Sequence, residues 1–335
     1  MVSTRYFVKR TGMAFLTFYA VISFTFAMIR LMPGSPVDRL RAQLASAGQD
    51  PSAVARQVEL YASINPEQPL WQQYVDYITS VATGDLGTST WYNEPVAQIL
   101  GNAMPWTIFI SIVSIILIYL IGITTGAFMA YAEGSRFDVS WSGTSILLTS
   151  VPFYVVAVVL LWLLGYNLSL FPTSGHYGSG IEEGFNPQFI WSVIGHGALP
   201  IASLVIAGFG IVALQMRGNA IQVLGEDYLR VAQLRALPQR RIALRYVARN
   251  AFLPMYTSLM ISLGTLFGSS IILEYIFQYP GVGYFMYQSI SARDYPLMMG
   301  TFLFITAGVI VGVYIADLTY GFIDPRAGGG DREAF

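Results

Sequence analysis

Apolar residues run along this chain in stretches too long for a soluble core helix. Six segments carry no Asp, Glu, Lys or Arg: 11–29, 106–131, 139–166, 191–216, 251–273 and 295–316. A helix rises about 1.5 Å per residue, so about 20 apolar residues cross the hydrocarbon layer of a bilayer. Lipid offers no partner to backbone N–H and C=O groups, which leaves helices or closed barrels as the spanning structures. Barrel strands alternate apolar and polar positions, and these runs do not. The pattern predicts an all-α integral membrane chain with six transmembrane helices. Arg5, Lys9 and Arg10 give the first segment a basic start like that of a secretory signal. It is too long for a typical signal core and has no Ala-x-Ala site before Pro33, so it is expected to stay.

The polar stretches between the runs set the topology. Thirteen basic residues fall on the side of the N-terminus: Arg5, Lys9, Arg10, Arg136, Arg217, Arg230, Arg235, Arg240, Arg241, Arg245, Arg249, Arg326 and Arg332. Five fall on the other: Arg30, Arg39, Arg41, Arg56 and Arg293. The positive-inside rule therefore places both termini in the cytoplasm. Residues 32–104 form the long outer segment, with short helices expected at 52–61 and 70–81 on either side of an Asn65-Pro66 break. The second presents Trp71, Tyr74, Val75 and Ile78 at helical spacing, to pack locally or to meet a partner. Shorter outer loops are expected at 167–190 and 276–294.

Composition agrees and narrows the chemistry. Apolar residues make up 54 % of the chain and charged ones 11 %, against about 45–50 % and about 25 % in soluble domains. A net charge of −1 argues against a nucleic-acid partner, whose phosphates demand a basic excess. The absence of cysteine removes disulfides, thiolate nucleophiles and iron–sulfur ligands. Lys9 is the only lysine, so there is no phosphate-binding G-x-x-x-x-G-K-[ST] loop. If ATP drives this chain, another polypeptide binds it. Glu133, Glu274 and Asp317 sit near span ends, leaving no carboxylate inside a span to titrate, as a proton-coupled carrier would require. His176 and His196 lack metal-binding spacing, and Ser111, Ser114, Ser150 and Ser203 read as helix-packing hydroxyls rather than nucleophiles. No catalytic, cofactor or metal site is expected, which disfavours an intramembrane hydrolase. A channel or carrier acting alone is the rival class, and it predicts flux without ATP.

The inner loop 217–250 carries the most pattern. Leu224, Tyr228, Val231 and Leu234 are spaced 4, 3 and 3, one face of a helix, with Glu226 and Asp227 on its polar side. Pro238 opens a second helix, on which Arg241, Arg245 and Arg249 form a basic stripe. Taken alone, that stripe serves topology and anionic headgroups.

Several strings resemble a known family in order and spacing. Glu226-Asp227-Tyr228-Leu229-Arg230-Val231-Ala232-Gln233-Leu234-Arg235-Ala236-Leu237 is similar to the coupling-loop signature of ATP-binding-cassette (ABC) importer permeases, in their dipeptide/oligopeptide/nickel branch. Leu31-Met32-Pro33-Gly34-Ser35-Pro36, Gly84-Asp85-Leu86-Gly87-Thr88-Ser89 and Glu274-Tyr275-Ile276-Phe277-Gln278-Tyr279-Pro280-Gly281-Val282-Gly283 resemble further blocks of that branch. So do Arg293-Asp294-Tyr295-Pro296, Asp317-Leu318-Thr319-Tyr320 and Asp324-Pro325-Arg326. Two positions depart: Ala236 stands where Gly is usual, and Leu234 replaces a smaller residue. Ala does not readily take φ > 0, so either Pro238 supplies the bend around a right-handed Ala236 or the loop is remodelled.

The resemblance implies a type I importer permease fold in the cell (inner) membrane. Residues 1–94 would supply the first helix and an extracytoplasmic helical insertion, 95–321 the core with the coupling loop, and 322–335 a cytoplasmic tail. The implied partners are a second homologous permease, two ATP-binding subunits and an extracytoplasmic solute-binding protein. ATP would be held by the partner subunits alone. Glu226, Asp227, Tyr228, Leu229, Arg230, Ala232, Arg235, Ala236, Leu237, Arg240 and Arg241 would form the ATPase-coupling loop. Short peptides are the first expectation for substrate, with nickel chelates and oligosaccharides as alternatives.

Overall fold

A computed structural model of the chain describes residues 4–31, 68–224, 226–238, 241, 248–264 and 271–323. Helices dominate, and among these residues the only ladder pairing is an isolated bridge between Thr88 and Pro95. In chain order the helices are α1 (Thr4–Leu31), α2 (Leu70–Thr83), α3 (Val96–Tyr131), α4 (Arg136–Ser150) and α5 (Phe153–Leu160). A π-helical turn (Leu161–Asn167) extends α5. There follow α6 (Pro187–Leu224), α7 (Asp227–Leu234), α8 (Ala248–Gly264), α9 (Ile271–Ile276), α10 (Val282–Ala292) and α11 (Tyr295–Ile323).

Four helices are long and apolar enough to cross a membrane, through Tyr6–Met28, Val96–Tyr131, Pro187–Val223 and Tyr295–Thr319. Only 17 % and 22 % of the apolar windows of α1 and α11 are buried within the chain, against 56 % for α6. Helices so apolar and so little covered need lipid or another subunit around them. The expected span 251–273 corresponds to α8, residues 265–270 beyond the described ones, and α9. The expected helix 52–61 and the strings at 32–36 and 324–326 also lie outside the described residues.

One expectation is corrected. Residues 139–166 read as one continuous span, but the structure breaks them into α4 and the α5–π segment, bent by 91°. Pro152 is the cause. Proline has no N–H to continue the ladder and pushes its predecessor out of the helical region; Val151 is extended, at φ −92° and ψ 119°. The hydroxyls of Thr149 and Ser150 bond back to the carbonyls of Ser145 and Ile146, an arrangement that itself bends helices.

The chain forms two compact units. One comprises the described residues of 109–264 and 315–323. Its core packs Tyr119 and Ala130 of α3 against Val212, Met216 and Ala220 of α6 and Ala251 and Met255 of α8. The other comprises the described residues of 4–108 and 271–314. In it, α2 packs Tyr74, Tyr77, Ile78 and Val81 with Ile22 and Phe26 of α1, while Trp71 and Val75 of the same helix stay exposed. The helical spacing of that segment is thus realised, with its face divided between the chain's own core and the outside.

Two fully buried carboxyl groups organise the second unit. Glu274, 0 % exposed, accepts from the Thr107 hydroxyl (2.8 Å) and from the Tyr284 N–H (3.0 Å). Thr107 in turn accepts from the Val282 N–H at 2.8 Å. The first amides of α10 are thereby satisfied by side chains rather than water. A Cβ at Gly281 would lie 2.5 Å from the Thr107 hydroxyl and against the Glu274 carboxyl, so only glycine lets the backbone pass. Asp294 is also fully buried and caps α11: it accepts from the Ser89 hydroxyl (2.5 Å), the Trp91 N–H (3.1 Å) and the Leu297 N–H (3.2 Å). The Gly84–Ser89 turn and the Arg293–Pro296 string, far apart in sequence, meet at this carboxyl. Glu274→Ala should destabilise the purified protein by about 2–5 kcal/mol, since two buried donors lose their acceptor. Glu274→Gln, which keeps an acceptor for Thr107, should cost about 1 kcal/mol. Thermal unfolding in detergent measures both, and an unshifted midpoint for the alanine variant contradicts this role.

Candidate coupling loop

The carboxyl end of α6 leads almost directly into α7. Glu226 makes the turn, donating its N–H to Val223 O (3.2 Å) and accepting the Leu229 N–H (3.0 Å). Asp227 lies in the first turn of α7, where its charge opposes the positive end of the helix dipole. The back of α7 is fixed to its own chain, with Leu229 and Ala232 buried against Val223 and Leu237. The Tyr228 hydroxyl accepts from the Asn250 side chain at 2.8 Å, which ties α7 to the start of α8.

The opposite face is open. Tyr228, Val231 and Leu234, three residues apart, are 39 %, 48 % and 82 % exposed. Glu226, Asp227, Arg230, Arg235, Ala236 and Arg241 are exposed as well. Of the four-residue face read from the sequence, Tyr228, Val231 and Leu234 form an outward stripe on α7, whereas Leu224 is the last residue of α6; the inward contacts fall on Leu229 and Ala232. Leu237 is partly buried against Leu229 and Ala232, whereas Tyr228 stays accessible. Arg240, and the side chains of Arg245 and Arg249, lie outside the described residues.

Ala236 resolves the alternative that its departure from Gly raises. Its φ is +52°, and the Leu237 N–H bonds Ala232 O at 3.3 Å, the closure of a helix ending on a left-handed residue. The turn keeps the geometry for which glycine is suited, carried by alanine at some cost in strain.

The base of the loop is held by an ion pair that periodicity did not reveal. The Arg217 guanidinium of α6 grips Asp138 of α4 through two bonds, Nε to Oδ1 at 2.5 Å and a terminal nitrogen to Oδ2 at 2.7 Å. Asp138 is 2 % exposed and also accepts from the Gly134 N–H at 3.0 Å and the Ser142 hydroxyl at 3.3 Å. Arg217 reads from the sequence as one of the inner-loop arginines; 79 residues separate it from Asp138. The two histidines show no ligand geometry. His176 stands edge-on to Tyr177 at 4.3 Å, with burial lowering its pKa, and His196 Nδ1 lies 2.7 Å from Ser192 O. Among the described residues no three His, Cys, Asp or Glu side chains converge on a metal-sized site.

A helix held at its back, open at its front and carried on the end of a long apolar helix suits a membrane protein that answers to another subunit. A family model described as binding-protein-dependent transport system inner membrane component matches residues 122–329. The chain belongs to this family. The match takes in the candidate loop, the Asp138–Arg217 pair, Glu274 and Asp294, while Thr107, Ser89 and Trp91 lie before it. Similar proteins cover the rest of this transport component as well. The di/tripeptide transport system permease protein DppB of Pseudomonas aeruginosa (strain UCBPP-PA14) is 30 % identical over 332 residues, 95 % of this chain and 97 % of its own length. The dipeptide transport system permease protein DppB of Escherichia coli (strain K12) is 29 % identical over 338 residues, covering 96 % and 98 %. The oligopeptide transport system permease protein AppB of Bacillus subtilis (strain 168) is 29 % identical over 324 residues, with the same coverage. As a transport component of this family, the chain is a permease subunit and not an enzyme.

Replacing Ala236 by glycine should relieve about 1 kcal/mol of left-handed strain in this permease. Hydrogen exchange at the Leu237 amide should then slow by about fivefold. Unchanged or faster exchange contradicts a strained turn.

Proposed function

We propose that this permease is one of two homologous membrane subunits of an ABC importer for short peptides. Full-length likeness to permeases named for dipeptide, di/tripeptide and oligopeptide transport supports the substrate class. With the bent α4–α5 pair counted as one crossing and the uncharged sequence run 251–273 as another, the chain has six spans. The thirteen-to-five distribution of Lys and Arg supports cytoplasmic termini. Residues 1–94 contribute the first span and an outer insertion containing α2, residues 95–321 the translocation core, and 322–335 the tail. A solute-binding protein delivers peptide to the outer face. Two ATPase subunits bind ATP inside, consistent with a chain that has one lysine and no phosphate loop.

The observation that carries this reading is α7. Its inner face is already satisfied by the chain, while Tyr228, Val231 and Leu234 are presented outward. An amphipathic helix with an unburied apolar stripe fits a groove on a partner. Glu226, Asp227, Arg230, Arg235 and Arg241 are exposed around it with both signs of charge, which sets orientation and encounter rate more than affinity. Leu229, Ala232, Ala236 and Leu237 hold the helix in place. Closure of the ATPase dimer on ATP then displaces the docked loop and, through α6, the spans.

Leu234→Asp tests the docking. At 82 % exposure the substitution leaves the chain's own packing intact but puts a charge into the contact. In a reconstituted complex it should lower peptide-stimulated ATP hydrolysis by about tenfold or more. Full stimulation contradicts the docking role.

A further inference from the structure

We propose that Asp138 and Arg217 are positioning residues for transport, a pair that makes α4 travel with α6 so that displacement of the coupling loop reaches the kink at Pro152. The inference rests on the importer reading above and adds a route for the force.

The contact between α4 and α6 has two fixed points. At one end is the bidentate Arg217–Asp138 pair, at 2.5 and 2.7 Å. Seven residues along each helix, in opposite chain directions, Gly210 meets Ser145 backbone to backbone: a Cβ at Gly210 would lie 2.6 Å from the Ser145 carbonyl oxygen. Along the same contact the Trp141 and Phe209 rings meet edge to face with centroids 6.5 Å apart. A backbone contact sets the distance between two helices, yet leaves each free to turn and slide. A planar fork of two charge-assisted bonds removes that freedom, because neither bond survives a rotation of its donor.

Position along the chain gives the pair its consequence. Arg217 lies in the last turns of α6, just before α7. Asp138 lies in the first turn of α4, whose other end is the extended Val151 before Pro152 and the 91° bend. A displacement delivered to α7 enters α6 directly. It reaches α4 only if the two helices are joined at this end. The acceptors of Asp138 are used to the full, since Gly134 and Ser142 also donate to it. Losing Arg217 would leave a buried carboxylate short of its counter-charge, so the pair has reason to persist while the helices move.

The test reconstitutes the full importer in vesicles and measures peptide carried per ATP hydrolysed. Asp138→Asn and Arg217→Gln should each lower that ratio by about tenfold, with ATP still hydrolysed. Arg217→Lys keeps a buried cation without the fork and should lose about threefold; it serves where the neutral variants fail to assemble. The chain has no cysteine, so a D138C/R217C variant can be joined by a short bifunctional thiol reagent after assembly. Linked protein should transport as the wild type does, and unlinked protein should not. A linked protein that is inactive overturns the proposal, because the helices must then part during the cycle. Wild-type ratios in all three single-residue variants overturn it too. Loss of stimulation in the Leu234→Asp control alongside either result locates the failure in this pair. Retained stimulation in that control locates it in the docking reading instead.

Discussion

Hydrocarbon gives a polar group no water to fall back on, and that constraint shapes every feature of this chain. Charged residues are few, and the buried carboxyl groups are held by several bonds at once. Asp138 receives a guanidinium fork and a backbone amide, Glu274 a hydroxyl and an amide, and Asp294 a hydroxyl and two amides. Each carboxyl sits where a helix begins or turns, where backbone donors lack intrahelical partners. The same expense that makes such groups rare makes them effective fasteners, since leaving one unpaired costs more than the bond itself contributes.

Function follows from which parts are fastened and which are not. The Glu274 and Asp294 knots fix short segments in one geometry, with Gly281 admitting the close approach. The Asp138–Arg217 pair closes the α4–α6 contact beside the coupling loop. Against these stands α7, anchored by Leu229 and Ala232 and left bare along Tyr228, Val231 and Leu234. A permease without its own nucleotide site needs such an unsatisfied element for another subunit to hold. The low burial of α1 and α11 is the lateral counterpart, apolar surface for lipid or another subunit.

The sequence makes the spans legible because lipid demands about 20 unbroken apolar residues whatever the rest of the chain does. It makes α7 legible because a two-sided helix must repeat every three or four residues. Periodicity finds a face, however, without saying what covers it: Tyr228, Val231 and Leu234 read as part of one helix face and stand bare on α7. Hydropathy likewise carries 139–166 across Pro152 as one span, because an apolar average is blind to a missing N–H. Strings such as Glu274–Gly283 are recognisable as a family block, yet their purpose depends on Thr107, 167 residues away. The Asp138–Arg217 pair is hidden in the same way. For Ala236 the side chain predicts right-handed backbone, and the closure of the helix onto Ala232 overrides it.

Dependence on an external engine is the central claim, and vesicle flux measures it most directly. The purified chain alone in liposomes should pass no radiolabelled dipeptide with or without ATP. The complex with its second permease, ATPase subunits and binding protein should accumulate it only with ATP inside the compartment that holds the ATPases. Dipeptide flux through the isolated chain would contradict the account.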